Sequence, residues 1–110
     1  VYTNPEIAVA GITEEEALAK GMEVEIHKLP MTYSGRFVAE NDSFQGLCKI
    51  IAGKKYKEIL GVHIIGNPAS ELIFGASMAI ETQLTVAELK EIIFPHPTVS
   101  EAFREVIALF

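Results

Sequence analysis

The chain has 110 residues, of which 49% are hydrophobic and 22% are charged, and its mean hydropathy is +0.27. This length allows one domain, and the composition is typical of a folded domain and not of a disordered tail. Acidic residues outnumber basic residues by 15 to 9, and the net charge of −6 argues against nucleic-acid binding. No stretch approaches the roughly 20 apolar residues of a membrane span. The single cysteine excludes a disulfide framework and a multi-cysteine metal site.

The start of the chain shows no initiator methionine, no basic leader and no apolar signal segment. We therefore expect a fragment of a longer protein, with a processed mature protein as the second interpretation. The missing signal and the lone cysteine predict a cytoplasmic protein, or one of the mitochondrial matrix if the source is eukaryotic. The apolar fraction is high for so small a domain, which predicts that part of the apolar surface meets a partner.

The first half of the chain is predicted to contain two strands and one short helix. Alternating residues predict a strand over 6–11, and the capping-box spacing of Thr13 and Glu16 opens a helix from 14 to about 20, which Gly21 ends. Alternation over 23–27 predicts a second strand with one polar face, on which His27 is exposed. Residues 29–43 carry turn signals and predict an irregular connection, within which 36–40 could form a short strand.

The second half begins with two strands and continues with helices. Residues 44–52 and 58–65 are predicted to form a hairpin, and Asn67 is a predicted N-cap with Pro68 at the first helical position. Residues 72–80 are apolar around nearly the whole helix circumference, so this helix needs cover on more sides than its own sheet provides.

Two further capping boxes predict the last helices, Thr85 with Glu88 for a helix to about 93, and Thr98 with Glu101 for the final helix. The final helix places Val99, Phe103, Val106 and Phe110 on one face, and Glu101, Arg104 and Glu105 away from it. Locally paired strands followed by helices predict an α+β fold, an antiparallel β-sheet with helices packed on one face. The sequence holds no GxGxxG and no P-loop, so the chain alone is not expected to bind a dinucleotide.

The three histidines are too dispersed to predict a zinc site, and no metal is expected. His63 lies on an otherwise apolar strand and is interpreted as a core or interface histidine. Cys48 falls inside a predicted strand and has no activating neighbour in the sequence, so it is not a predicted nucleophile.

His96 is the strongest candidate for chemistry, because it stands between Pro95 and Pro97 on a stiff backbone. Glu101 follows five positions later and can accept a hydrogen bond from one ring nitrogen, which leaves the other free for acid–base catalysis. The alternative is structural: Glu101 completes the capping box with Thr98, and His96 merely precedes it. Spacing alone favours the structural interpretation. If His96 is a base, its reaction partner lies outside this chain.

Residues 96–105, HPTVSEAFRE, resemble the C-terminal signature of the dihydrolipoyl dehydrogenase family of flavin-dependent pyridine nucleotide–disulfide oxidoreductases. Residues 1–6, VYTNPE, resemble the start of that family's C-terminal interface domain, and residues 59–66, ILGVHIIG, resemble its characteristic strand. The resemblance covers essentially the whole chain. It implies that residues 1–110 form a single C-terminal dimerisation domain without the FAD- and NAD-binding domains.

The resemblance also implies a mechanism that is shared between subunits of a homodimer. The histidine matching His96 is the acid–base catalyst, the glutamate matching Glu101 orients it, and His96 and Pro97 lie near the FAD of the partner subunit. The full-length enzyme uses FAD, NAD and a redox disulfide to oxidise dihydrolipoamide, and lipoyl domains of 2-oxoacid dehydrogenase complexes are its partners. The fragment alone is expected to bind no cofactor and to be inactive.

The sequence departs from the family pattern at two points. Phe94 stands where the family often has a second histidine, which predicts a local change of packing, and Cys48 matches neither redox cysteine. Two alternatives remain open. One is the same domain in another flavin disulfide reductase, such as a glutathione-reductase-like enzyme, and the other is a free-standing, non-catalytic interaction module.

Overall fold

A computed structural model of the chain describes residues 3–41 and 45–110. Its elements alternate between strands and short helices in the first half and end in three helices. In chain order they are β1 (Ile7–Gly11), α1 (Glu14–Ala19), β2 (Val24–Leu29), a 3₁₀ turn (Met31–Tyr33), α2 (Gly35–Glu40), β3 (Leu47–Gly53), β4 (Ile59–Ile65), α3 (Ala69–Glu81), α4 (Val86–Lys90) and α5 (Glu101–Ile107).

The four strands form one antiparallel sheet in the order β1-β4-β3-β2. Strands β3 and β4 form a hairpin in which Ile50 lies opposite Val62, and a bulge follows at Ile51 and Ala52. The predicted α+β class and its antiparallel sheet are confirmed. The strands predicted over 6–11, 23–27, 44–52 and 58–65 are present, with ends that differ by at most three residues; Phe44, the expected start of the third strand, lies outside the described residues.

The main core lies between one face of the sheet and the helices α3 and α5. Helix α3 packs on β1 and β4, whereas α5 packs on β2 and β3. The buried side chains come from both layers: Ile50, Val62 and Ile64 from the sheet, Ala76 and Ala79 from α3, and Ala102 and Val106 from α5. This packing places α5, whose first residue is Glu101, over β2 and β3.

Helix α1 lies on the other face of the sheet. Side chains alternate along a strand, so Lys49 points away from the face that carries Cys48 and Ile50. Its Nζ donates to Oε1 of Glu14 at 2.9 Å. Ala17 of the same helix is buried. The larger helices therefore share one face, and a short acidic helix covers part of the opposite one.

The prediction of a strand over 36–40 is wrong, because these residues belong to α2. Ser34 stands at the N-cap with extended backbone, and its Oγ accepts the Phe37 N–H at 3.2 Å. Phe37 is completely buried while Val38 is exposed. Phe37 is the one buried side chain of this six-residue helix. A helix with a single buried residue has no repeating apolar pattern from which the sequence could predict it.

The prediction of Asn67 as the cap of α3 is also wrong. Pro68 occupies the N-cap position, and Asn67 Oδ1 accepts the Glu6 N–H at 2.9 Å instead. The carboxylate of Glu6 caps the first turn of α3 instead, because the Ser70 N–H donates to its Oε1 at 3.1 Å. A side chain 64 residues away in the sequence thus replaces the expected local cap. The capping box of Thr85 and Glu88 is confirmed, although α4 ends at Lys90 and not at 93.

Cys48 is buried and without a disulfide, and burial raises the pKa of its thiol from an ordinary 9.0 to about 12. The unfolded chain ionises this thiol near its ordinary pKa. The native state is therefore not penalised by this thiol below pH 9.0, and it loses stability as the pH rises from there towards about 12. We expect the free energy of unfolding to fall by up to about 1.4 kcal/mol per pH unit through this group.

Urea unfolding of the wild type and of Cys48→Ala, measured at several pH values above 8, checks this expectation. The substitution removes the ionisation of the thiol. The free energy of unfolding should therefore fall more steeply with rising pH in the wild type than in Cys48→Ala. Parallel slopes for the two proteins would contradict it, because lysine and tyrosine ionisation is common to both.

Candidate functional site

His96 lies in the irregular segment 91–100, between α4 and α5. Its side chain is 79% exposed, whereas the side chain of Glu101, on the first turn of α5, is only 7% exposed. The His96 Nδ1 lies 2.9 Å from Oε1 and 2.8 Å from Oε2 of Glu101. An exposed imidazole is thus hydrogen-bonded through Nδ1 to a buried carboxylate.

The hydrogen bond to Glu101 defines the tautomer of His96. An ionised carboxylate only accepts hydrogen bonds, so Nδ1 carries the proton and donates it. In the neutral imidazole, Nε2 is then an acceptor. No side chain or backbone group of the described residues forms a hydrogen bond or ion pair with Nε2. The ring therefore presents a free base towards solvent, in the orientation that Glu101 dictates.

Two hydrogen-bond donors and one neighbouring cation surround the carboxylate of Glu101 and favour its ionised form. The Thr98 N–H donates to Oε1 at 2.8 Å, His96 donates from Nδ1, and the Arg104 Nη2 lies 3.3 Å from Oε2. The Thr98 N–H has the largest effect in holding the pKa of Glu101 below its ordinary value, followed by His96 and Arg104. The side chain of Glu101 is buried, and its carboxylate turns back towards the segment that carries His96.

The predicted capping box at Thr98 is only half present. Glu101 accepts the Thr98 N–H, but Ser100 is the N-cap of α5, and Thr98 Oγ1 donates to the Pro95 carbonyl at 2.7 Å instead. The sequence offered capping and imidazole orientation as alternatives, whereas one carboxylate performs both. Its Oε1 accepts from the Thr98 N–H and from His96 together.

The predicted pH dependence of stability follows from the lowered pKa of Glu101. A group whose pKa is depressed by folding stabilises the native state above its ordinary pKa, here 4.5, and the stabilisation is lost as the pH falls through the depressed value. We expect Glu101→Gln to be less stable than the wild type at neutral pH, and the difference to shrink on acidification. Acid titrations of stability check this; Glu105→Gln, which removes an exposed partner of the same Arg104, is the control.

The other two histidines are structural. His63 Nε2 lies 3.0 Å from the Ile12 carbonyl, in line with its interpretation as a core or interface histidine. The prediction of an exposed His27 is wrong, because its ring packs edge-on against Phe110 and its Nε2 lies 2.8 Å from a Glu25 carboxylate oxygen. The C-terminal end of the chain covers this position. In the described ranges, no group of three or more His, Cys, Asp or Glu residues could hold a metal ion.

An apolar cavity of about 200 Å³ lies between the sheet and the segment that carries His96. Cys48, Leu72, Phe94, Val99 and Phe103 contribute to its lining, and neither His96 nor Glu101 does. Phe94 packs against Phe103, with ring centroids 6.3 Å apart. The exposed imidazole of His96 and the carboxylate of Glu101 therefore lie outside the lining of this cavity.

Sequence reasoning missed two groups near the pair. Ser34 and Arg36, at the start of α2, reach the carbonyls of Thr98 and Pro97, although more than 60 residues separate them in the sequence. The only sequence signal is a serine two positions before an arginine inside a segment that reads as irregular. No helix in the described part of the chain is long and apolar enough to cross a membrane.

The profile of the pyridine nucleotide-disulphide oxidoreductase dimerisation domain matches residues 1–107. The chain is 41% identical over 105 residues to a mitochondrial dihydrolipoyl dehydrogenase of Caenorhabditis elegans, covering 96% of this chain and 21% of that protein. It is 42% identical over 105 residues to a dihydrolipoyl dehydrogenase of Thermus scotoductus, covering 96% and 23%. A solved HOCl-induced flavoprotein disulfide reductase from Escherichia coli superimposes with a TM-score of 0.90 at 28% identity, covering 99% of this chain and 25% of that one.

The chain spans about a fifth of the length of these curated relatives. The family match covers residues 1–107, and the solved relative shares the fold over 99% of this chain. This chain belongs to the family of pyridine nucleotide–disulphide oxidoreductase dimerisation domains.

Proposed function

We propose that this chain is the dimerisation domain of a dihydrolipoyl dehydrogenase and that it supplies His96 and Glu101 as an acid–base pair to the partner subunit. The observation that carries the proposal is the exposed His96, whose Nδ1 is held by a buried carboxylate and whose Nε2 is free. The identity of 41–42% to proteins named dihydrolipoyl dehydrogenase favours this substrate over that of the structural relative, which is 28% identical.

The chemistry assigned to His96 is proton transfer. A thiolate attacks a disulfide far faster than a thiol does, so a dithiol substrate must lose a proton before exchange. The free Nε2 accepts that proton, and the resulting imidazolium is stabilised by the Glu101 carboxylate at Nδ1. Glu101 remains ionised because the Thr98 N–H also donates to it and the Arg104 guanidinium forms an ion pair with it. The described residues supply no exposed thiol, since Cys48 is buried.

The residues of this chain fit contact with a cofactor that another part of the enzyme holds. His96 and Pro97 form an exposed projection, and the sequence contains no glycine-rich phosphate loop of its own. FAD, when bound, would accept the electron pair of the dithiol and pass it to NAD⁺. Within that arrangement, this chain positions the histidine and moves the proton.

Helix α3 is the proposed dimer surface. Its apolar side chains are not all covered by the sheet: Phe74 is 69% exposed and Met78 is 53% exposed, one turn apart on the same side. Large exposed apolar side chains grouped in this way are typical of a protein–protein interface. The proposal therefore assigns proton transfer to the exposed His96 and the dimer contact to the exposed apolar side of α3.

Sedimentation of the complete enzyme tests the assembly. We expect a dimer at micromolar concentration, and we expect the double substitution Phe74→Asp with Met78→Asp to produce monomers, because it places charges in the apolar contact. The control is Tyr56→Asp, which changes an equally exposed aromatic residue in the β3–β4 turn. A double variant that remains fully dimeric would remove α3 from the interface.

The coding sequence that precedes Val1 tests the enzyme class directly. A GxGxxG motif after an N-terminal strand, followed by CxxxxC, would support a flavin disulfide reductase. A start codon immediately before Val1 would instead support a free-standing interaction module and would contradict the proposed enzyme.

A further inference from the structure

The segment that carries His96 has no regular secondary structure, so its position depends on individual contacts. Most of these are local: Glu101 accepts from Thr98, and Thr98 Oγ1 donates to the Pro95 carbonyl. These hydrogen bonds tie the segment to the start of α5, where the Glu101 N–H also donates to the Thr98 carbonyl at 3.3 Å. In the ranges 3–41 and 45–110, the hydrogen bonds that tie residues 95–98 to a distant element both come from the start of α2.

Ser34 makes the stronger of these two contacts. Its Oγ donates to the Thr98 carbonyl at 2.8 Å and accepts the Phe37 N–H at 3.2 Å, so the hydroxyl links the segment to the first turn of α2. Ser34 is only 1% exposed, and Phe37 is completely buried. Because water cannot replace the hydroxyl at this depth, its loss leaves the Thr98 carbonyl without that donor.

Arg36 extends the same contact at the surface. Its Nη1 lies 3.4 Å from the Pro97 carbonyl, while its Nε donates to the Glu40 carboxylate at 2.9 Å. The carbonyls of Pro97 and Thr98 are thus held by neighbouring residues of one helix. Thr98 is also the residue whose N–H donates to Glu101, so the contact from Ser34 reaches the carboxylate through one residue.

We propose that Ser34 is a positioning residue for His96: it fixes the backbone of Thr98 against the core, and through Thr98 it positions the carboxylate that orients the imidazole. This inference rests on the proposed catalytic role of His96. A misplacement of about 1 Å in a catalytic group can reduce a rate by about a hundredfold, so a contact that sets this position affects turnover without touching substrate.

The test uses steady-state kinetics of the complete oxidoreductase with dihydrolipoamide and NAD⁺. We expect Ser34→Ala to lower kcat by about ten- to a hundredfold with little change in KM, since the base is displaced while substrate contacts remain. Ser34→Thr keeps the hydroxyl and should restore most of the activity. Thr13→Ala is the control, because it removes the equivalent N-cap acceptor of α1 on the other face of the sheet.

A double variant separates positioning from general destabilisation. If Ser34 acts through His96, adding Ser34→Ala to His96→Gln should not lower kcat further. An additional loss in that background, or a Ser34→Ala enzyme as active as Thr13→Ala, would overturn the inference. If Ser34→Ala does not fold, Ser34→Cys keeps the shape with a far weaker donor and is judged in the same way. A His96→Gln enzyme with normal turnover would overturn the proposed function itself.

Discussion

His96→Gln in the complete enzyme is expected to lower kcat for dihydrolipoamide oxidation by roughly 10²–10⁴-fold, the usual contribution of a general acid–base group. The physical reason is the free Nε2, which is the acceptor that the Glu101 contact leaves available. Glutamine keeps a polar side chain of similar length at this exposed position, so the fold should survive. Stopped-flow measurement of the first reduction by dihydrolipoamide reports the affected step.

His27→Gln is the matched control for this prediction. Like His96, His27 lies within hydrogen-bond distance of a carboxylate, here at 2.8 Å from Glu25, but its ring is packed against Phe110. Its replacement should leave turnover near the wild-type rate. If His96→Gln were equally active, or if His27→Gln were equally slow, His96 would lose its assigned role.

Glu101→Gln is expected to slow turnover less than His96→Gln, because the base remains present but is no longer oriented by a carboxylate. The two residues form one hydrogen-bonded unit, so the double variant should be no slower than His96→Gln alone. Since Glu101 also accepts the Thr98 N–H, a loss of stability accompanies the kinetic effect. The comparison with the double variant separates the two contributions.

The hydrogen bond between His96 and Glu101 could be predicted from the sequence because the two residues are five positions apart. Two prolines and the start of a helix limit where Glu101 can lie, and this is local information. Periodicity likewise predicted the four strands and the apolar helix. What spacing could not decide was the choice between capping and orienting, because a carboxylate has two oxygens and can accept from Thr98 and His96 together.

The errors fall where long-range contacts override local preference. Asn67 has the local features of an N-cap, yet its side chain accepts from the backbone of Glu6, and Glu6 supplies the cap to α3. From the sequence, residues 36–40 could form a short strand. In the structure they belong to α2, which buries Phe37 in the core. The hydroxyl of Ser34 illustrates the same limit, since its acceptor is 64 residues away. No pattern within a short window contains such pairs.

Subunit complementation tests whether His96 of one subunit serves the active site of the partner subunit. Consider one variant with His96→Gln and a second in which a redox cysteine, carried elsewhere in the complete enzyme, is replaced. Each homodimer is inactive, because every site lacks either its base or its disulfide. In a mixed dimer, however, the intact histidine of one subunit meets the intact disulfide of the other, provided that His96 serves the partner's site.

The expected recovery is quantitative. Random pairing of equal amounts makes half of the dimers mixed, and each mixed dimer has one functional site of two, so activity should return to about a quarter of the wild-type value. Unfolding and refolding the two variants together allows subunit exchange, and simple mixing without exchange is the control. If His96 acted on its own subunit, each chain of the mixed dimer would still lack one component. Activity after refolding would then stay at the level of the separate variants, and the exposed position of His96 would need another explanation.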